Sequence, residues 1–124
     1  TTTTDKTYHH PTDRQFARAL GSAAPVESAA YAAFSQAGVH RSDGLIQPKV
    51  RVLSARGVAL TTQCAYCMDT HTAAAQKLGV TREELAEVVY ITSALCAGAA
   101  AAHGMLAMKL FAHAEAAAVK TSPV

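Results

Sequence analysis

The chain has 124 residues, which is enough for one domain and too few for two. Half of its residues are hydrophobic, but 28 residues are alanine and none is tryptophan, so we expect a thin core with closely packed backbones. Alanine is the best helix former, and the composition argues against an all-β fold. The net charge of +2 is too small to indicate nucleic acid or an anionic membrane as a partner. Charged residues make up only 16%, which suggests that part of the surface is buried against other copies of the chain.

The first twelve residues are polar and lack any apolar pattern, so residues 1–12 are expected to form a flexible tail. A single all-α domain is expected over residues 13–120. Its first helix is predicted from Arg14 to Leu20, with Asp13 as the N-cap and Gly21 as the stop.

Proline and glycine predict the boundaries of the next three helices. These helices are expected from Pro25 to Gly38, from Pro48 to about Leu60, and from about Cys64 to Leu78, with Gly79 ending the last. Thr81 and Glu84 form a capping box that starts a fifth helix. Gly98 is expected to mark a break or a close helix crossing, followed by a sixth helix from about Ala99 to Val119.

No segment reaches the roughly 18 uninterrupted apolar residues of a membrane-spanning helix. The longest candidate, residues 91–102, is mostly alanine and is interrupted by Gly98. The sequence also shows no basic-then-apolar leader. We therefore expect a cytoplasmic protein with no membrane partner.

The most informative motif is Cys64-Ala65-Tyr66-Cys67, followed by His71. Residues three, four and seven apart share one face of a helix, so Cys64, Cys67 and His71 are expected along one edge. Two thiols one turn apart can close a disulfide if the first lies at the helix start. The free amides and the dipole at that end lower a cysteine pKa, and a nearby histidine can take the proton. These residues are typical of a reactive dithiol.

Two other interpretations of the cysteines remain open at this point. A structural zinc site needs four ligands, and the residues that could complete one are Cys96, His103 and His113, which form no standard pair. The thiols could also be inert core residues, since cysteine is often buried. Cys96 is expected to be a buried small residue without a role.

The chain resembles the alkylhydroperoxidase D-like branch of the carboxymuconolactone decarboxylase family over roughly residues 45–111. The resemblance is carried by LIQPKVR at 45–51, ALTTQCAYCMDTHTAAA at 59–75, GVTREELAE at 79–87 and AGAAAAHG at 97–104. It implies an all-α fold assembled as a homotrimer or homohexamer, and reduction of hydroperoxides without a cofactor or metal. It further implies that Cys67 is the peroxidatic thiol, Cys64 its resolving partner in a redox-active disulfide, and His71 part of a proton relay.

Two positions depart from the peroxidase pattern. The relay glutamate expected twelve residues before the first cysteine is replaced by Val52, and the histidine between the cysteines is replaced by Tyr66. Tyrosine is a poor base at neutral pH, so His103 is the second candidate for the relay, with a core or subunit contact as its alternative role. Asp69 and Glu87 are candidate acidic partners of His71, although solvation of such carboxylates is the simpler interpretation.

The expected function is a thiol-dependent peroxidase or disulfide oxidoreductase, reduced by an external dithiol such as a lipoyl-bearing or thioredoxin-like protein. The alternative is a helical oligomer that senses redox state or binds a small ligand without sustained turnover, which the loss of glutamate at Val52 favours. Lactone decarboxylation ranks lower, because it does not depend on a cysteine pair and the sequence lacks an arginine cluster for a carboxylate.

Overall fold

The protein is all-α in a computed structural model that describes residue 6 and residues 8–123. These residues contain helices and loops but no strand. A short 3-10 segment is followed by five α-helices. Their bounds are Pro11–Phe16 for the 3-10 segment, then α1 Ala17–Ala23, α2 Pro25–Val39, α3 Pro48–Thr62, α4 Ala65–Lys77 and α5 Arg82–Thr121.

The N-terminal helical segment begins earlier than its sequence predicts. The 3-10 segment starts at Pro11, and its N-cap is His10 rather than Asp13. Asp13 lies at the third position of a capping box, where its carboxylate accepts the His10 backbone N–H at 2.9 Å. Proline is favoured at the first position of a helix, so Pro11 starts the segment and His10, the residue before it, becomes the N-cap. Half of the predicted tail, residues 1–5 and 7, lies outside the described residues.

The predicted boundaries of α2, α3 and α4 are confirmed to within two residues. Pro25 and Pro48 occupy first-turn positions, where the missing N–H of proline costs no hydrogen bond. Gly79 follows α4 with φ of 74°, a backbone conformation that glycine adopts without steric cost. Local chemistry therefore sets these three helices.

The break predicted at Gly98 is wrong, because α5 runs unbroken through it. The capping box of Thr81 and Glu84 is confirmed, with Thr81 Oγ1 accepting the Glu84 N–H at 3.1 Å. One glycine costs a helix only about 1 kcal/mol relative to alanine, and the neighbouring alanines compensate for it. A Cβ built at Gly98 would meet nothing within 4 Å, so it marks no close crossing within the chain either.

Because α5 is unbroken, its apolar segment is longer than the sequence predicts. By length and composition alone this helix could cross a membrane, although the core helix of a water-soluble protein passes the same test. Its stretch without Asp, Glu, Lys or Arg runs over residues 88–108. The start of that stretch packs on α3, where Val88 and Thr92 lie beside Gly57.

The central helix of the chain is α3, which packs against α2, α4 and α5. Among the described residues the buried apolar side chains are Val52, Ala59 and Ala75, as expected for a thin core. Gly57 allows α5 to approach closely, since a Cβ there would lie 3.3 Å from Thr92 Oγ1. The redox motif therefore lies at the start of a helix that α3 holds in place.

Much apolar surface stays exposed on the single chain. The accessible surface is 10074 Å², whereas a compact monomer of this mass exposes roughly 6,300 Å². The exposed apolar side chains of α5 include Leu95, Met105, Met108, Leu110 and Phe111, which lie around the helix rather than along one face. A surface of this kind is typical of a face that another molecule covers.

Candidate active site

The cysteine pair lies at the junction of α3 and α4. Gln63 ends α3 in the left-handed conformation, with φ of 54°, and turns the chain so that Cys64 becomes the N-cap of α4. Cys64 and Cys67 form a disulfide, with Cα atoms 5.3 Å apart, inside the range that a disulfide requires. Both residues are half-buried. The structure thus joins the two sulfurs that the sequence motif predicts.

The sulfur of Cys64 is placed to be stabilised as a thiolate. Its Sγ accepts the backbone N–H of Cys67 at 3.2 Å, as an N-cap oxygen would. This amide and the positive end of the α4 dipole favour negative charge on the sulfur once the disulfide is reduced. Ionised Cys64 can then attack an oxidised sulfur on Cys67.

His71 lies in α4 one turn after Cys67, which puts the two side chains on the same helical face. Its imidazole is half-buried and faces His40, with ring centroids 6.0 Å apart and ring planes tilted by 32°. Partial burial lowers the pKa of His71, and the positive charges of protonated His40 and of Arg56 lower it further. The ring is therefore neutral at neutral pH and able to accept a proton.

His71 lines a cavity of about 280 Å³. It is lined by Val39, His40, Ser42, Pro48, Val52, His71, Ala74 and Leu78. Val52, the position where the resemblance predicts a relay glutamate, is 4% exposed and forms part of the same wall. A carboxylate at position 52 would share this cavity with the imidazole, but valine supplies no proton acceptor.

Tyr66 is directed to the N-terminal segment. Its hydroxyl donates to Asp13 Oδ2 at 2.5 Å, and its ring stacks on His9 at 5.6 Å between centroids. The hydrogen bond to the Asp13 carboxylate raises the pKa of Tyr66, so the phenol is an even weaker acid than usual and carries no basic phenolate at neutral pH. Asp69 pairs with Arg14 at 3.4 Å, which holds the same segment on the start of α4.

The other sequence candidates lie on α5. His103 is exposed, and its Nδ1 lies 3.2 Å from the Ala99 carbonyl oxygen of the same helix. Within the described part of the chain, no contact joins His103 to the cysteine pair or to His71. Cys96 is a free thiol and exposed, so its expected burial is wrong for the single chain. Glu87 is exposed on the same helix.

The zinc-site interpretation gains no support from the geometry. Residue 6 and residues 8–123 contain no group of three His, Cys, Asp or Glu side chains that could hold a metal ion. Cys64 and Cys67 are joined to each other, and His103 contacts its own helix.

Comparison with known proteins agrees with this arrangement. The model of the carboxymuconolactone decarboxylase family matches residues 25–110, which is more than half of the chain. The chain belongs to the carboxymuconolactone decarboxylase family. This family includes alkylhydroperoxidase D-like peroxidases and decarboxylases.

A curated relative of this family member is a Paracoccus denitrificans protein named uncharacterized protein 4 in cox locus. The two are 34% identical over 67 residues, which are 54% of this chain and 60% of the relative. The chain therefore covers less than two thirds of that relative's length.

His40 is the residue near the site that sequence reasoning missed. It caps the C-terminal end of α2 and donates its backbone N–H to the Gln36 carbonyl at 3.1 Å. A loop of eight residues then separates α2 from α3. No spacing rule connects position 40 to position 71, so the available signal was a histidine two residues after the predicted helix end at Gly38.

Proposed function

We propose that this family member is a thiol-dependent peroxidase or disulfide oxidoreductase. The observation that carries the proposal is the Cys64–Cys67 disulfide at the start of α4, with His71 one turn farther along the same helix. A half-buried disulfide at a helix N-terminus combines solvent access with stabilisation of the reduced thiolate. Family membership supports the proposal, since the family includes enzymes of this class.

The proposed reaction starts with the reduced pair. The Cys67 thiolate attacks the hydroperoxide, the O–O bond breaks, and the sulfur becomes a sulfenic acid while the peroxide is reduced to an alcohol. The proton that leaves the Cys67 thiol passes to His71 and then to the alkoxide oxygen. The Cys64 thiol ionises, and its thiolate attacks the sulfenic sulfur, so that an S–S bond forms and the S–O bond breaks. The departing hydroxide takes up the proton that Cys64 released and leaves as water. An external dithiol, on a lipoyl-bearing or thioredoxin-like protein, reduces the disulfide.

Mass spectrometry of cysteine variants tests this order of attack. We would treat reduced wild-type, Cys64→Ser and Cys67→Ser proteins with limiting hydroperoxide in the presence of a sulfenate trap. We expect trapped sulfenate on Cys67 in Cys64→Ser and an intramolecular disulfide in the wild type. Cys96→Ser is the matched control, because that thiol lies on another helix, and we expect it to behave as the wild type does. No loss of the two motif thiols in the wild type would contradict the proposal.

A redox-sensing role is the second candidate, and the apolar Val52 beside His71 favours it. A sensor would oxidise once and stay oxidised, whereas a peroxidase consumes peroxide continuously. A turnover assay with excess strong dithiol separates the two, because sustained consumption excludes a pure sensor. The decarboxylase reaction ranks lower, since Arg56, whose charge acts on His71, donates to residues of α4 and does not line the His71 cavity.

We further propose that the protein works as a cytoplasmic homo-oligomer, a trimer or hexamer. The surface beyond that of a compact monomer is about 3,800 Å², which is large enough for extensive subunit contacts. The uncharged stretch of α5 begins at residues that pack on α3 within the chain, since Val88 and Thr92 lie beside Gly57. Sedimentation equilibrium would test this, and a monomer at micromolar concentration would contradict it.

A further inference from the structure

His40 lies between the half-buried His71 and solvent. It is exposed, and it also lines the cavity that contains His71 and Val52. Arg51 helps to fix this end of α2, since its Nη1 donates to the Gly38 carbonyl at 2.8 Å and its Nε to the Ile46 carbonyl at 2.9 Å. The position of His40 over α3 and α4 is therefore built into the fold.

The charged groups around the two rings are mostly engaged elsewhere. Arg41 pairs with Asp43 on the loop after α2, and Lys49 of α3 pairs with Glu84 of α5. Arg51 binds the two carbonyls at the end of α2, and Arg56 donates from α3 to the Met68 carbonyl and the Thr72 hydroxyl of α4. Among the residues that line the cavity, His40 and His71 are the titratable ones.

We infer that His40 is a positioning residue for the proposed reaction, which orients the His71 imidazole and exchanges its proton with solvent. The inference rests on the proposed function for its chemistry. The two ring centroids are 6.0 Å apart, a separation that one water molecule or a small ring rotation can bridge. Val52, which lines the same cavity, has no polar side-chain atom that could act instead.

The proposed route passes one proton through the two imidazoles. When the Cys67 thiol ionises, its proton moves to His71, and the alkoxide oxygen receives a proton from His71 when the O–O bond breaks. His40 accepts or returns that proton on the solvent side, so the overall conversion remains one thiol and one hydroperoxide to one sulfenic acid and one alcohol. A second proton on the pair is disfavoured, because two imidazolium ions would repel each other.

The test uses His40→Gln, which keeps hydrogen bonding but removes titration, with His113→Gln on α5 as the matched control. Both changes are made in the full chain and in a Cys64→Ser/Cys96→Ser background, where Cys67 is the remaining thiol. Three quantities are measured against pH: the oxidation rate of the thiols by hydroperoxide, the alkylation rate of Cys67 by iodoacetamide, and the NMR titration of His71. Circular dichroism confirms that each variant is folded.

We expect His40→Gln to slow peroxide oxidation at pH 7 by about 10-fold, at the low end of what positioned acid–base groups contribute. We expect the His71 titration to move up towards its ordinary midpoint of about 6.5, and the limb of the pH–rate profile that reports His71 to move with it. His113→Gln should change neither.

The possible results separate the two proposals. If His71 titration and Cys67 alkylation are the same in folded His40→Gln as in the wild type, the role of His40 is refuted. If the wild type reduces no peroxide but its His71 titration and alkylation profile respond to His40→Gln, the proposed peroxidase function fails and the coupling of the two histidines stands.

Discussion

Replacing Arg56 with methionine should leave the free energy of unfolding close to the wild-type value or raise it. Arg56 is 6% exposed, and no described ion pair reaches its guanidinium. Its Nη1 donates to the Met68 carbonyl and to Thr72 Oγ1, both at 3.2 Å, while its Nε is buried without an acceptor. The side chain therefore combines favourable hydrogen bonds with an uncompensated buried charge.

The two effects have similar magnitude. Two charge-assisted hydrogen bonds of this length contribute about 3 kcal/mol. The unpaired Nε costs about 1–3 kcal/mol, and burial of the charge adds to that cost. The Met68 carbonyl keeps the Thr72 hydroxyl as a donor at 2.8 Å, so the substitution leaves no orphaned acceptor. We expect the free energy of unfolding of Arg56→Met to be within about 1 kcal/mol of the wild-type value, or higher than it.

Urea unfolding followed by circular dichroism at one fixed protein concentration measures this difference. Arg56→Ala is the matched comparison, because it removes the same charge but leaves a void, and it should lose about 2–4 kcal/mol. The His71 pKa should rise in both variants, since the Arg56 charge lowers it. A loss above about 3 kcal/mol in Arg56→Met would refute the reasoning, because it would mean that the charge is compensated in the assembled protein.

Three further predictions concern the packing and titration of the same elements. Gly57→Leu should lower the free energy of unfolding by about 1–3 kcal/mol, because the larger side chain separates α3 from α5. Gly57→Ala should be nearly neutral, because Thr92 Oγ1, 3.3 Å from the added Cβ, can rotate away. Thermal melts distinguish the two variants. Thr81→Ala should cost about 1 kcal/mol by removing the N-cap of α5, as measured by urea unfolding with Thr121→Ala at its far end as the control. The lowered pKa of His71 means that the unfolded chain binds more protons than the folded chain below about pH 6.5. The contribution of neutral His71 to stability is therefore complete above that pH and is lost as the pH falls through the lower pKa of the folded state. Urea midpoints of the wild type and His71→Gln between pH 7 and pH 5 test this sign.

Local chemistry made the helices predictable. Proline at positions 25 and 48, the capping box at Thr81 and the glycine at position 79 each act within one turn, so their effects could be inferred without knowing the packing. Gly98 shows where that reasoning fails. A glycine can end a helix, cross another closely or simply be tolerated, and only the surroundings, which are empty in the single chain, decide among these.

The candidate site was predictable only along α4. The spacing of Cys64, Cys67 and His71 fixes their order on one helix edge, so the sequence sufficed for these three. His40 could not be predicted because its approach to His71 depends on how α2 ends and on how Arg51 holds that end. Whether Val52 faced the imidazole was equally a question of packing between α3 and α4.

The helix that contributes no reactive side chain therefore determines the geometry of the site. Arg51 of α3 holds the end of α2, and Arg56, five residues later, binds the carbonyl of Met68 in the first turns of α4. Val52, one turn before Arg56, is a buried core residue that lines the same cavity as the two histidines. Because α2 and α4 both pack on α3 and both contribute residues to the cavity, a change in the packing of α3 would change the separation of the two imidazoles. Substitutions on this helix should therefore alter how fast Cys67 reacts before they alter whether the pair can form.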